Sequence, residues 1–219
     1  MESMARGGTR WKRFALVMVP SVAATAAIGV GLAQGALAAS FAVSGQEFKV
    51  KAGHLVGHGF AQYGGVDMGY TNVKEGEAKA PRPVAISTFR DAKIHNMCQS
   101  VVTDVPGLGK ITLRLEAGKG GKPVVAENLY LDVTDLKADA KFEDIDIGVA
   151  AKDTDRRKGG KGPEVKDSSI MQNGFAQQAR VATLDNVEQK AWATTAASFK
   201  LSGLSMKLKK GDGPGVECF

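Results

Sequence analysis

The stretch ENLYLDVTDLKADAKFEDIDIGV, Glu127 to Val149, decides the fold class. Leu129, Leu131 and Val133 occupy odd positions. Leu136, Ala138, Ala140 and Phe142 occupy even ones, and Ile145, Ile147 and Val149 are odd again. Apolar residues at period two mark half-buried strands, because successive side chains leave a pleated backbone on opposite faces. The residues between them, Tyr130, Asp132, Lys137, Asp139, Lys141 and Asp146, suit a wet face. Parity switches at Thr134-Asp135 and at Glu143-Asp144, with neither proline nor glycine. A one-residue slip moves every later side chain to the other face, so each switch predicts a bulge or a sharp corner.

The same device recurs outward in both directions. Phe41 and Val43 give way to Phe48 and Val50 across Ser44-Gly45. Phe199 and Leu201 give way to Leu204, Met206 and Leu208 across Ser202-Gly203. SFAVSGQEFKVK (Ser40 to Lys51) and SFKLSGLSMKLK (Ser198 to Lys209) correspond position for position. VKAGHLVGHGFAQ (Val50 to Gln62) aligns without gaps to VKDSSIMQNGFAQ (Val165 to Gln177), and the same offset carries Val84-Ala85-Ile86-Ser87 onto Phe199-Lys200-Leu201-Ser202. These echoes predict a mainly β domain with a layered or curved sheet: a β-solenoid or β-roll of duplicated layers, or an antiparallel sandwich.

Other segments are read individually. Ile111, Leu113 and Leu115 form a strand, and GKGGKP (Gly118 to Pro123) predicts a hairpin to Val124 and Val125. KDTDRRKGGKGPEVKD (Lys152 to Asp167) is charged and without periodicity, which predicts a solvated loop open to proteolysis. Ala176 to Ala197 leaves helix and strand open. Val181, Leu184 and Val187 recur at spacing three, yet Thr and Asn flank them.

Ahead of the β region stand Arg6, Arg10, Lys12 and Arg13, then an apolar run from Phe14 to Ala39 broken only by small residues, Pro20 and Gln34. Cations followed by an apolar run form an export signal. Ala36-Leu37-Ala38 fits a cleavage site, whereas a run of about 26 residues is long enough to cross roughly 30 Å of hydrocarbon as a helix. Residues 1–13 are thus expected to be a cytoplasmic basic leader, 14–39 a transmembrane helix or signal peptide, and 40–219 an extracytoplasmic β domain. The location expected is the outer side of the plasma membrane, or secretion after cleavage near Ala38.

The net charge of +6 includes the leader cations, so the exported part is mildly basic. No arginine cluster with interleaved aromatics points to nucleic acid. Aromatics make up 6% of the chain against 27 glycines, which favours turns and small-residue packing over a large aromatic core. Cys98 and Cys218 form an even pair, read in an oxidising compartment as one disulfide, with two buried free thiols as the alternative.

Catalytic and metal patterns are weak. There is no G-x-S-x-G elbow to expose a serine, no Walker loop and no dinucleotide fingerprint. His54 and His58 are four apart, but Gly53, Gly57 and Gly59 break the helix that zinc chelation at that spacing needs; His95 stands apart. Asp153 and Asp155 are followed at once by Arg156, Arg157 and Lys158, which suits solvation better than a calcium loop. Glu143, Asp144 and Asp146 sit at a predicted corner, where adjacent acids serve solvation more often than glycoside hydrolysis. Cys98 has only His95 nearby. The expectation is no enzyme, no metal and no cofactor; Ser44, Ser87 and Ser202 would be the only near-motif nucleophiles of an esterase.

The leader followed by ALAASFAVSGQEFKVKA, the GFAQYGGV and HNMCQSV stretches and the near-terminal cysteine resemble an uncharacterised exported protein family of streptomycetes and related actinobacteria, along nearly the whole chain. The resemblance implies a single-span or secreted protein. It also implies a small multi-span membrane protein as partner, and some members carry the label cholesterol esterase. From the residues themselves, the expected function is a non-enzymatic cell-envelope protein that binds lipid or another apolar molecule along small and aliphatic inner residues such as Leu129, Leu131, Ala138 and Ala140. The alternative is a structural module that self-associates or docks on a membrane partner through Phe41–Val50 and Phe199–Leu208.

Overall fold

Where the alternation changes parity, the backbone bends, and the bends close a ring. The computed structural model describes residues 45–69, 80–165 and 170–219, all within the unit Ser40–Phe219. The expectations for residues 1–13 and 14–39, including the N-terminal helix, lie outside the described residues. Among those described, no helix is long and apolar enough to cross a membrane.

The described residues form eight strands in order: β1 (Phe48–Gly69), β2 (Ala80–His95), β3 (Met97–Val105), β4 (Gly109–Ala117), β5 (Val124–Ala150), β6 (Phe175–Thr195), β7 (Ser198–Lys200) and β8 (Ser205–Lys210). β1 has partners on both edges. β2 runs antiparallel to it from His54↔His95 to Gly69↔Ala80, and β6 from Phe48↔Ala191 to Tyr63↔Ala176. β5 pairs with β2 on one edge and β6 on the other, so β1, β2, β5 and β6 form a small closed barrel. β3 continues along the β1 edge beyond β2, and β4 and β8 add outward from it. β7 pairs with β5 at Val125↔Lys200 to Glu127↔Ser198.

The expectation of a mainly β domain is met. Its finer form is not a solenoid, roll or sandwich, because the β2–β5–β6 ladder returns to β1 and leaves no stacked open layers. The bends explain how so few strands close. Among the described residues, four that are not glycine have left-handed backbone, Asn96, Asn128, Asp144 and Asn186, and all are Asn or Asp, which tolerate that region best. Two of them, Asn128 and Asp144, line up with Gly59 across the register. Gly59 (φ 62°) lies opposite Arg180 between His58↔Val181 and Phe60↔Ala179, and Asp144 meets the same Arg180 between Glu143↔Val181 and Ile145↔Ala179. Asn128 falls opposite Arg90, which is the residue Gly59 faces on β2. One corner therefore crosses the barrel wall as a line. The predicted corner at Glu143-Asp144 belongs to it, and the predicted switch at Thr134-Asp135 coincides with a register shift between Val133 and Asp135.

The interior is aromatic at its centre. Phe89 and Leu129 are fully buried, and the Phe60 ring lies 5.4 Å from Phe89 and 5.2 Å from Phe142. Gly57 makes room for this: a Cβ there would stand 2.2 Å from Phe89 Cδ1.

Three local expectations are corrected. The GKGGKP turn joins no hairpin. Gly118 N donates to Ser202 O and Gly118 O accepts from Asn96 N, so the chain crosses to the side of β2 and Val124 pairs with Ile94. The duplication is not reproduced. Val50 to Gly59 is strand, whereas the described part of its counterpart, Val165 and Ile170 to Asn173, is not, and Phe60 is 3% exposed while Phe175 is 66% exposed. The charged stretch from Lys152 is a built structure rather than a solvated loop. It folds through two 3₁₀ turns, Ala151–Thr154 and Arg156–Lys158, with Thr154 and Asp155 buried. Asp155 accepts from the backbone N–H groups of Arg157 (2.9 Å) and Val165 (3.1 Å) and from the Arg157 guanidinium (2.7 Å). Arg157 also pairs with Glu164, and Tyr130 donates its hydroxyl to Glu164 O. The undecided segment Ala176 to Ala197 is strand β6, held by ladders on both edges that outweigh the helix propensity of its alanines.

Candidate functional site

The even residues of central β5 face inward, because the shift near Thr134 turned them there. Leu136, Ala138, Ala140 and Phe142 meet Phe60 and Leu184 around a cavity of about 150 Å³. Leu136 is 37% exposed, so the β5 side of the cavity reaches solvent. Three polar groups interrupt the apolar lining: Gln62, Ser87 and Gln189. Gln62 Nε2 donates to Ser87 Oγ (2.8 Å) and Gln177 Nε2 donates to Gln62 Oε1 (2.7 Å). A second cavity of about 30 Å³, the size of a single water, shares Leu55, Leu131, Val187 and Gln189 with the first. These four residues form the partition between two compartments of one interior.

The register connects this interior to the outer sheet. Leu136 pairs with Gln189, Gln189 with Val50, Val50 with Gln99, Gln99 with Leu115 and Leu115 with Met206. Residues opposite one another in a ladder share a face. A single row thus runs from the edge strand β8 across β4, β3, β1 and β6 to the cavity wall on β5. The other face of the outer sheet is covered by the C-terminal tail. Cys98 and Cys218 are joined as a disulfide (Cα–Cα 5.8 Å), Arg114 Nη1 donates to Glu217 O (2.8 Å), and Cys218 N donates to Ser100 Oγ (3.1 Å).

Of the residues weighed for catalysis and metal binding, His54 and His95 are cross-strand partners with ring centroids 6.0 Å apart, and the others engage separate neighbours. His54 Nδ1 lies 2.6 Å from Asp185 Oδ1 and His58 Nδ1 lies 2.8 Å from Asp91 Oδ1, on half-exposed side chains of the barrel's outer wall. Among the described residues no group of three or more His, Cys, Asp or Glu is placed to hold a metal ion. Glu143 is engaged by Lys141 and Arg180, whose hydrogen bonds hold its carboxyl below the ordinary range. Asp146 is held down by Lys161 and Gln178, and Lys161 also bridges to Asp144 (3.0 Å). These acids tie β5 to β6 and to the 3₁₀ segment; an acid–base pair needs one carboxyl pushed the other way. Asp155 is buried in its ion pair, and Asp153 is exposed. Ser87 lies at the cavity with its hydroxyl accepting from an amide. Ser202 sits in the turn before β8, and Ser44 lies outside the described residues.

Of the inner residues expected from the alternation, Leu131, Ala138 and Ala140 line the larger cavity and Leu129 the smaller. The glutamines that line the larger cavity, Gln62 and Gln189, do not follow from the apolar alternation. The repeated GFAQ motif carried the signal, since its two copies place Gln62 and Gln177 face to face.

A family model, described as a family of unknown function (DUF6230), matches residues 44–219. The chain belongs to the DUF6230 family. No curated protein and no solved structure matches it significantly. The family match spans all eight strands, so the barrel, its cavity and the disulfide-held tail all fall within the DUF6230 region.

Proposed function

We propose that this DUF6230 chain is a non-enzymatic cell-envelope protein, membrane-anchored or secreted, of an exported actinobacterial group, and that its barrel binds the end of an alkyl chain. The cavity carries the reading. At about 150 Å³ it matches the size of apolar cavities that take up benzene or xenon. It therefore suits a short apolar segment of a larger molecule, with the rest emerging past Leu136. Gln62, Ser87 and Gln189 supply the few polar contacts that orient a ligand in a mostly apolar site. Ser87 is engaged by the Gln62 amide rather than by an imidazole, which supports binding over ester hydrolysis.

The test is native mass spectrometry of the exported protein with a series of straight-chain fatty alcohols. One-to-one adducts are expected, and Ala138→Phe, which fills the cavity from β5, is expected to abolish them. Absence of adducts across the series, or adducts that persist undiminished in Ala138→Phe, overturns the reading. The self-assembly alternative rests on the open edge at β8, but Lys207, Lys209 and Lys210 on that strand oppose edge-to-edge addition.

A further inference from the structure

The outer sheet has one covered face and one open face. The covered face holds Cys98, Ser100 and Thr112 beneath the tail. The other carries the rows Gln99–Leu115–Met206 and Val101–Leu113–Leu208. Leu204, Met206 and Leu208 are 49%, 61% and 73% exposed. A contiguous apolar set of this kind, rimmed by charge, marks an interaction surface. We propose that this face docks on an anionic lipid bilayer, at the boundary between headgroups and acyl chains.

The path of the chain argues for that occupant. Gln46 Nε2 donates to Val102 O (2.7 Å) and Thr103 Oγ1 donates to Gln46 Oε1 (3.2 Å), so the residues entering β1 run beside β3. Only residues 40–47 separate β1 from the apolar run that ends at Ala39. Eight residues span at most about 28 Å, and the run itself is long enough to cross a bilayer. The outer sheet is therefore tethered within a short reach of any membrane that holds the run.

Charge argues the same way. Ser198 to Lys210 contains Lys200, Lys207, Lys209 and Lys210 and no acidic residue. Of these, Lys210 shares the open face with Met206 and Leu208, whereas Lys207 and Lys209 fall in the tail-side rows of Ser100 and Thr112 and Lys200 pairs with Val125. Cations beside an apolar face match anionic headgroups above acyl chains. The same lysines oppose a second copy adding along the β8 edge. The docking surface stands independently of the ligand reading, although the row from Met206 to Leu136 would give an alkyl chain a continuous apolar track from bilayer to cavity.

The experiment uses the full chain with unilamellar vesicles of phosphatidylcholine containing a third phosphatidylglycerol, and reads the tryptophan signal gained over wild type. In Leu208→Trp, the added emission is expected to shift blue and to be quenched by brominated acyl chains. In Val66→Trp, an exposed site on β1, it is expected to stay unquenched. Reversing the cation on the open face, Lys210→Glu, is expected to weaken the Leu208→Trp quenching about tenfold, with the disulfide and the β-sheet circular dichroism retained. Leu208→Trp quenched no more than Val66→Trp overturns the proposal. So does a shift that follows protein concentration without lipid, which would assign the face to a second copy.

Discussion

Gln62 and Gln177 meet amide to amide across β1 and β6, with Gln177 Nε2 donating to Gln62 Oε1 at 2.7 Å and Gln62 passing its own N–H to Ser87. The relay ties three strands together at the edge of an otherwise apolar interior. Gln62→Leu removes one donor and one acceptor and leaves two neighbouring polar groups without their partner. A loss of about 2 kcal/mol is expected in urea unfolding. Gln62→Leu with Gln177→Leu should cost less than the sum of the single variants, which a double-mutant cycle reads directly.

Gly57 is held by packing. A methyl group there would overlap the Phe89 ring, so Gly57→Ala is expected to destabilise by about 1–3 kcal/mol. Phe89→Leu in the same chain should recover part of that loss. If Gly57→Ala leaves the urea midpoint unchanged, the contact with Phe89 is not as described.

Asp155 sets an acid limb of stability. Burial alone would push its carboxyl up, but the Arg157 side chain and the backbone N–H groups of Arg157 and Val165 outweigh burial and hold it at about 2, against an ordinary 3.8. A carboxyl depressed on folding stabilises fully above the ordinary value, and that contribution is lost as pH falls through about 2. Asp155→Asn should therefore cost about 2 kcal/mol at neutral pH and flatten the fall in melting temperature below pH 4. Equal melting temperatures for the two proteins at pH 7 would contradict this.

The Cys98–Cys218 bond closes a loop with a sequence separation of 120. Replacing both cysteines by alanine is expected to cost about 4–5 kcal/mol on the chain-entropy model. It should also release the tail from Ser100 and Thr112. Hydrogen exchange would show that release as faster exchange at the backbone N–H of position 218, which is bonded to Ser100 in the disulfide-linked chain. Tail exchange unaltered on reduction would mean that the remaining hydrogen bonds suffice.

The strand content was legible because alternation depends only on which side chains are apolar. The corner at Asp144 was legible too, since a change of parity cannot occur in a straight strand. Ring closure was not legible, because nothing local in β1 says that both of its edges find partners. The 3₁₀ segment misled for a different reason. Asp155 and Arg157 read as two more charges in a solvated run, and only the fold shows the carboxylate saturated by hydrogen bonds and buried. The groove residues Leu131, Ala138 and Ala140 followed from inward parity. Gln189 could not, since its inward direction depends on the bend at Asn186, where two residues of β6 oppose one of β5.

The seam between β1 and β6 joins the first strand of the barrel to its last, and Gln62 and Gln177 on either side of it are 115 residues apart. Such a junction forms only after the entropy of bringing distant segments together has been met. β1, β2 and β5 can assemble as an open trough while β6 is still free. The interior is then a cleft before it is a chamber, and the last strand to arrive is the one that roofs it.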